Sequence, residues 1–298
     1  MFSSTLTPIL IASFATLYGG LTIGSVAWMR WRRKTRWPFK ESDKLLRAPG
    51  ESLGRKLREF DERFVMEFFG TIAVGILSFP VGAIVVRWTG FAGLGAMVVL
   101  FAGPVLVAMG SAWRITRIWK ERSNHYLGWF GERVTGEHLR SLQSQGYRVF
   151  HDFPCEGGTK GFNIDHVVVG PTGVTVVETK TRRKGNARQG CKDYEVVFDG
   201  KSVIWPSGPD RRAIAQVIGE GDWLEKWIFA QTGMKVTVKR VFTLPGWFVR
   251  ESPSAALRVV NPKFLPDAIR GFGETTLTAP QIDLIARQIE IRCRDVDE

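Results

Sequence analysis

The chain has 298 residues, enough for a membrane segment with one ordinary domain or for two small domains. Its formal net charge of +12 does not by itself mark a nucleic-acid binder: residues 1–122 carry 17 Lys/Arg against 8 Asp/Glu, whereas residues 123–298 carry 24 against 21. Cys155, Cys191 and Cys293 are odd in number and widely spaced, which excludes a CxxC metal pair and a disulfide framework and fits a reducing compartment.

Residues 1–29 contain no charge, and Arg30, Arg32, Arg33, Lys34 and Arg36 follow at once. About 20 apolar residues suffice to cross a bilayer as helix, and 6–28 supply them. A secretory signal peptide places its positive charges before the apolar run; here they come after it, so an uncleaved anchor is expected. A second uncharged run covers 68–86 and a third covers 88–113, giving three expected transmembrane helices, 1–29 and a hairpin within 67–113. Pro80 and Pro104 predict kinks in the second and third.

Twelve Lys/Arg lie in 30–63, and Arg114, Arg117, Lys120 and Arg122 follow the third run, while only Arg87 separates the second and third. Positive-inside then puts the N-terminus outside and both basic stretches inside, a multi-pass protein of the inner or plasma membrane. Within the basic loop 30–66, Leu53, Leu57, Phe60 and Phe64 recur at helical spacing beside Arg55, Lys56 and Arg58. Two readings stand: a helix lying on an anionic leaflet, or a solvated basic linker. Residues 114–127 read as a juxtamembrane linker.

The remainder, 128–298, reads as a soluble domain. A helix is expected over 131–145, with Val134, Leu139 and Leu142 on its apolar side and Gly146 ending it. Strands follow at 147–153, 163–169 and 174–180, the last two joined by the turn signal Gly170-Pro171-Thr172-Gly173. A hairpin over 194–198 and 202–205 turns at Asp199-Gly200. A long helix runs from Pro209 to about Gln231, then strands at 235–244 and 257–260 and helices near 262–269 and 280–292. The order implies α/β architecture, one mixed sheet with helices on its faces.

Polar residues stand where a buried strand should be apolar. Side chains alternate between faces, so Glu178 and Lys180 share a face with Val174 and Val176, and Asp165 shares one with Val167 and Val169. A two- or four-residue hairpin loop sets Asp165 directly opposite Glu178, their Cβ atoms roughly 4.5–5.5 Å apart. A three-residue loop with Gly173 left-handed shifts the register and separates the faces. In the first case two carboxylates raise each other's pKa, a conflict that Mg²⁺ or Mn²⁺ removes. Lys180 points at the same place and suits positioning a nucleophile. Glu132, early on the preceding helix, is a further carboxylate, with Glu137 a weaker one. The alternative is a hairpin end with solvated charges. His166 points away from Asp165 by alternation and reads as structural or surface, and His125, His138 and His151 form no cluster with it.

The stretch Gly128-Trp129-Phe130-Gly131-Glu132, then Leu139 and Leu142, then 162–180 with Asp165, Glu178 and Lys180, resembles the nuclease-related domain (NERD), from about Gly128 to Trp205 and more loosely through Gln216. That resemblance implies a PD-(D/E)xK, restriction-endonuclease-like mixed sheet with flanking helices. It also implies a Mg²⁺ or Mn²⁺ site from Glu132, Asp165 and Glu178, with Lys180 as the assisting cation and Gln216 as a helix glutamine of the family. The family often has a small polar residue and an aromatic after its Glu-x-Lys; here Thr181-Arg182-Arg183-Lys184 stands instead. With Arg188 and Lys192 this run suits contact with phosphate backbones, or forms a solvated loop. The expected function is metal-dependent hydrolysis of phosphodiesters, DNA ahead of RNA, beside a lipid bilayer. The rival is a non-cleaving binding or docking module.

Overall fold

The computed structural model describes residues 6–32, 45–90, 92–155, 161–185, 187–252, 257–273 and 276–294. Much of the basic loop expected around 30–66, namely 33–44, lies outside them, as does Asn186. The chain divides into two compact units, Met1–Asp43 with Val65–Thr116, and Lys44–Phe64 with Arg117–Glu298.

The first unit is helical: α1 (Leu6–Arg32), the part of α2 (Glu51–Thr89) from Val65 on and the part of α3 (Leu94–Gln143) up to Thr116. Among the described residues two helices, not the three expected, are long and apolar enough to cross a membrane, α2 and α3. The first run is helical too, but Thr, Ser and Gly interrupt its apolar residues throughout. Only 6% of the apolar stretch in each of α2 and α3 is buried, which separates them from the core helices of a globular domain. Within this unit Thr71 and Ser111 hydroxyls bond to each other, and Arg114 reaches Glu67 at 3.2 Å.

Residues 51–64 are continuous with α2, and the expected linker 114–127 is continuous with α3. The expected basic stretch is thus helical over 51–64, and its apolar positions have protein neighbours. Leu57 is buried, Phe60 packs on His125 with ring centroids 5.0 Å apart, and Phe64 meets Trp119. Its apolar stripe faces protein because α3 runs alongside, and Arg122 clamps Asp61 at 2.5 Å.

The second unit contains two mixed sheets rather than the single one expected. The larger has the order β1 (Arg148–Cys155), β2 (Phe162–Gly170), β3 (Gly173–Thr179), β7 (Val238–Thr243), β9 (Arg258–Val260). Its first three strands are antiparallel and its last three parallel. The smaller has the order β6 (Gly208–Asp210), β5 (Val203–Trp205), β4 (Glu195–Phe198), β8 (Phe248–Glu251). Strand β6 is the three-residue run Gly208-Pro209-Asp210 and β8 spans four residues, too short to announce themselves by alternation.

Strand β3 is buried along its whole length, as a near-continuous Val/Thr run requires when both faces are covered. On one face, α4 (Arg212–Thr232) and α6 (Ala279–Cys293) pack Val217, Leu224, Ile228, Ile285 and Ile289 against Val174 and Val176. On the other, Leu139 and Leu142 of α3 and Leu265 and Ile269 of α5 (Leu265–Arg270) cover Val168, Val177 and Val241. Fully burying side chains of this size contributes about 1.5–3 kcal/mol each.

Candidate metal and catalytic site

The β2–β3 hairpin pairs Gly170 with Gly173, Val169 with Val174 and His166 with Val177. Pro171 and Thr172 thus form a two-residue loop, with Gly173 at a φ of 107° that a Cβ would strain. Of the two registers open to the sequence, this is the one that puts Asp165 opposite Glu178.

Alternation breaks where the acidic residues sit. Phe150 and Phe153 share one core although three apart, and so do Ile164 and Val167. Between them Asp152 and Asp165 face each other across the strands yet are left out of the ladder that pairs His151 with His166 and Phe153 with Ile164. Asp152 has left-handed backbone, φ 51°. Its buried carboxylate accepts bonds from the backbone N–H and Oγ of Ser52 at 3.0 and 2.6 Å, from Arg47 at 3.3 Å and from Asn163 at 2.9 Å. The interruption frees the Asp165 carboxylate to accept the Thr179 N–H at 2.8 Å, beyond the end of the β2–β3 ladder.

Glu178 is buried, and its carboxyl lies within hydrogen-bond reach of both Asp165 and Glu220. Gln216 Nε2 donates to Oε1 of Glu178 and to Oε1 of Glu220, each at 2.9 Å. Lys180, half-buried just past β3, acts electrostatically on Asp165, Glu178 and Glu220. Glu132, buried on α3, feels the charges of Asp165, Asp152 and Lys56. The structure therefore brings together Glu132, Asp165, Glu178, Lys180 and Gln216. It adds Glu220, which the sequence reading missed. The signal was present: buried α4 positions run Ala213, Val217, Glu220, Leu224, Ile228, so Glu220 interrupts an apolar stripe and sits one turn beyond Gln216. Glu137 is exposed and pairs with Arg140 at 3.3 Å, outside the site.

Burial shifts each of these carboxyls toward its neutral form. It raises Glu132 to about 9, with Asp165 and Asp152 adding to the effect. It raises Asp165 to about 7 against the opposing Thr179 N–H bond, and Glu220 to about 8 against the Gln216 bond. Glu178 is pushed well above the usual range by burial, then by Asp165 and Glu220. Oε2 of Glu178 and Oε2 of Glu220 are buried without a hydrogen-bond partner. Among the described residues no three His, Cys, Asp or Glu side chains are gathered closely enough to hold an ion as they stand; the Gln216 amide bridges the two glutamates instead.

Local packing fixes the site's walls. A Cβ on Gly131 would lie 2.1 Å from Cγ2 of Thr181, and Thr181 Oγ1 donates to the Leu127 carbonyl at 3.1 Å. The residue after Lys180 thus sits directly against α3, one position before Glu132. Arg182 pairs with Asp210 and lies over the Trp205 ring at 4.5 Å. Asp210 in turn accepts the Arg212 N–H at 3.0 Å at the start of α4, so this pair ties the β3 exit to the helix carrying Gln216 and Glu220. Arg183 donates to Ser123, and Lys184 stands 5.6 Å over Trp247. Arg188 packs against Gly208. These basic side chains are partly committed to protein partners, more than the solvated or phosphate-facing loop expected. His166, expected to be structural or at the surface, is fully buried, its Nδ1 2.8 Å from that of His151.

Residues 127–245 match the family model of the nuclease-related domain, NERD, a stretch that includes Glu132, Asp165, Glu178 and Glu220. No curated protein matches the chain. Among solved structures, SfsA from Pyrococcus furiosus, determined in complex with Ca²⁺, is similar at 16% identity over 54% of this chain and 52% of its own, with a TM-score of 0.20. The chain thus spans about half of that protein's length.

Proposed function

We propose that the nuclease-related domain is a divalent-metal-dependent phosphodiesterase acting on nucleic acid, DNA ahead of RNA, at the cytoplasmic face of a membrane. The observation that carries this reading is a set of four acidic side chains, Glu132, Asp165, Glu178 and Glu220, buried and mutually repelling beside Lys180. Burial makes ionising these carboxyls costly without a counter-charge, and Oε2 of Glu178 and Oε2 of Glu220 accept no bond from an N–H or hydroxyl donor. An all-oxygen donor set of this kind suits Mg²⁺ or Mn²⁺. Asp165, Glu178 and Glu132 would hold the ion, with Glu220 beside them, and the ion would supply Lewis-acid polarisation and an acidified water.

The protein's own groups would do the rest. Lys180, reaching the cluster from the end of β3, would hold the attacking water or stabilise charge developing on a phosphoryl oxygen. Gln216, exposed on α4 yet bonded to both glutamates, would orient them. Residues 44–64 and 117–298 belong to one folded unit, and the Lys/Arg bias of both flanks would put that side in the cytoplasm.

A second reading, a non-cleaving module on the same fold, draws on the Gln216 bridge and on the partly committed basic loop. Cleavage of labelled duplex DNA, single-stranded DNA and RNA by the full chain in detergent with Mn²⁺ separates the two. The catalytic reading expects cutting by wild type, reduced by about 10²–10³ or more in Glu178→Gln and Lys180→Ala. Absence of cutting on all three substrates, or a Glu178→Gln variant as active as wild type, favours the non-cleaving module.

A further inference from the structure

A cavity of about 760 Å³ opens beside the nuclease-related domain's sheet, within the ~300–1,000 Å³ of small-ligand sites. Its lining includes Trp247, Phe248, Phe264, Arg258, Lys263 and His138. Phe248 and Phe264 are 59% and 63% exposed, an unusual state for two phenylalanines at one rim. Arg258 is paired with Glu251, whereas Lys263 is exposed and makes no ion pair among the described residues.

The cavity lies at the same end of the sheet as the carboxylates. Strands β3, β7 and β9 are parallel, with Thr179 beside Thr243 and Thr243 beside Val260. Glu178 and Lys180 therefore leave β3 at the edge from which β7 runs on to Trp247 and β9 to Lys263. A chain of contacts joins the two places: Arg182 lies over Trp205, Trp205 packs edge-on against Trp247 at 5.2 Å, and Lys184 lies 5.6 Å over Trp247. Helix α3 contributes Glu132 to one and His138 to the other.

We propose that this cavity is a binding site for the bases of single-stranded nucleic acid, holding an unpaired stretch of the strand whose backbone reaches the carboxylate cluster. Exposed aromatic faces interleaved with cations suit base stacking beside a phosphate chain. Duplex bases, already stacked on one another, cannot enter. A peptide partner would use the free β8 edge and gain nothing from Lys184 and Lys263. The inference rests on the nuclease reading for its substrate but not for its test.

The test is binding of fluorescein-labelled oligothymidylate, and of a duplex of equal length, to the full chain in detergent with the cleavage-blocking Glu178→Gln change throughout. Single strand is expected to bind more tightly than duplex. Phe248→Ala and Phe264→Ala are each expected to weaken it about tenfold, the scale of one base–aromatic stack, and Lys263→Ala to lower the salt dependence by about one phosphate contact. Both phenylalanines are solvent-exposed, so the variants should keep the wild-type melting temperature. Equal affinity of the variants for single strand, preference for duplex, or no oligonucleotide binding overturns the proposal. So does loss of self-association in the variants with binding unchanged, which would assign the aromatic rim to a second copy of this chain. Wild-type cutting without any effect of the rim variants sinks this inference alone. Rim-dependent binding without cutting sinks only the catalytic reading.

Discussion

Replacing Glu220 by glutamine tests the electrostatics of the cluster without touching the residues legible beforehand. Its carboxyl titrates near 8 in the fold against roughly 4.3 when unfolded. A raised folded pKa means the folded state keeps a proton that the unfolded chain loses, so stability falls as pH rises between those values. Glu220→Gln mimics the neutral form. It is expected to match wild type below about pH 4 and to melt higher than wild type at pH 8–9, the gap growing by at most about 1.4 kcal/mol per pH unit and closing when Mn²⁺ is added. A pH-independent difference would contradict the assignment. His151 behaves oppositely: burial lowers it to about 4, so its neutral form is favoured and stability is lost as pH falls from about 6.5 to 4. Scanning melting temperature across that acid range should show a loss that His151→Gln reduces. Asp165, Glu178 and Lys180 were singled out by strand alternation and by the length of the hairpin loop. Glu220 was readable as a charge in an apolar stripe, yet the stripe's burial, not its spacing, made it stand out.

At the scale of elements, the close approach of α3 to the β3 exit is the feature most open to mutation. Gly131→Ala drives a methyl into Thr181; overpacking of this kind costs about 1–3 kcal/mol and displaces Lys180 with its neighbour. Thr181→Ser removes the offending Cγ2 and keeps the hydroxyl that bonds Leu127, so the double variant should recover both melting temperature and activity. Failure of that rescue would place the defect in the helix itself. The first turn of α2 is a second such point. Ser52→Ala removes a hydroxyl bonded to Asp152 and within 2.6 Å of Asn163 Nδ2, and thermal unfolding should show a loss of about 1–3 kcal/mol. Sequence periodicity found every strand of the larger sheet and all the long helices. It did not find the joining of 51–64 to the apolar run 68–86 or of 114–127 to the helix over 131–143. The stripe Leu53, Leu57, Phe60 and Phe64 was legible at helical spacing, but its packing against His125 and Trp119 was not. The ladder gap at Asp152 and Asp165 was also beyond it, because a left-handed aspartate leaves no mark in a hydrophobicity pattern.

Across the whole molecule, helices α2 and α3 each run without a break from the apolar helical unit into the α/β unit. Cell fractionation should leave the chain in the membrane pellet through a high-salt wash, and protease added from outside should spare residues 123–298; digestion of that domain would reverse the proposed orientation. The claim beneath all of this is that the buried acids hold their protons until a divalent cation takes their place. Calorimetric titration of the full chain with Mn²⁺ at pH 7, repeated in buffers of different ionisation enthalpy, reads both binding and proton release. Wild type is expected to bind with net release of protons, and Glu178→Gln to lose most of the affinity. No binding at millimolar Mn²⁺, or binding unchanged in Glu178→Gln with no protons released, would contradict it.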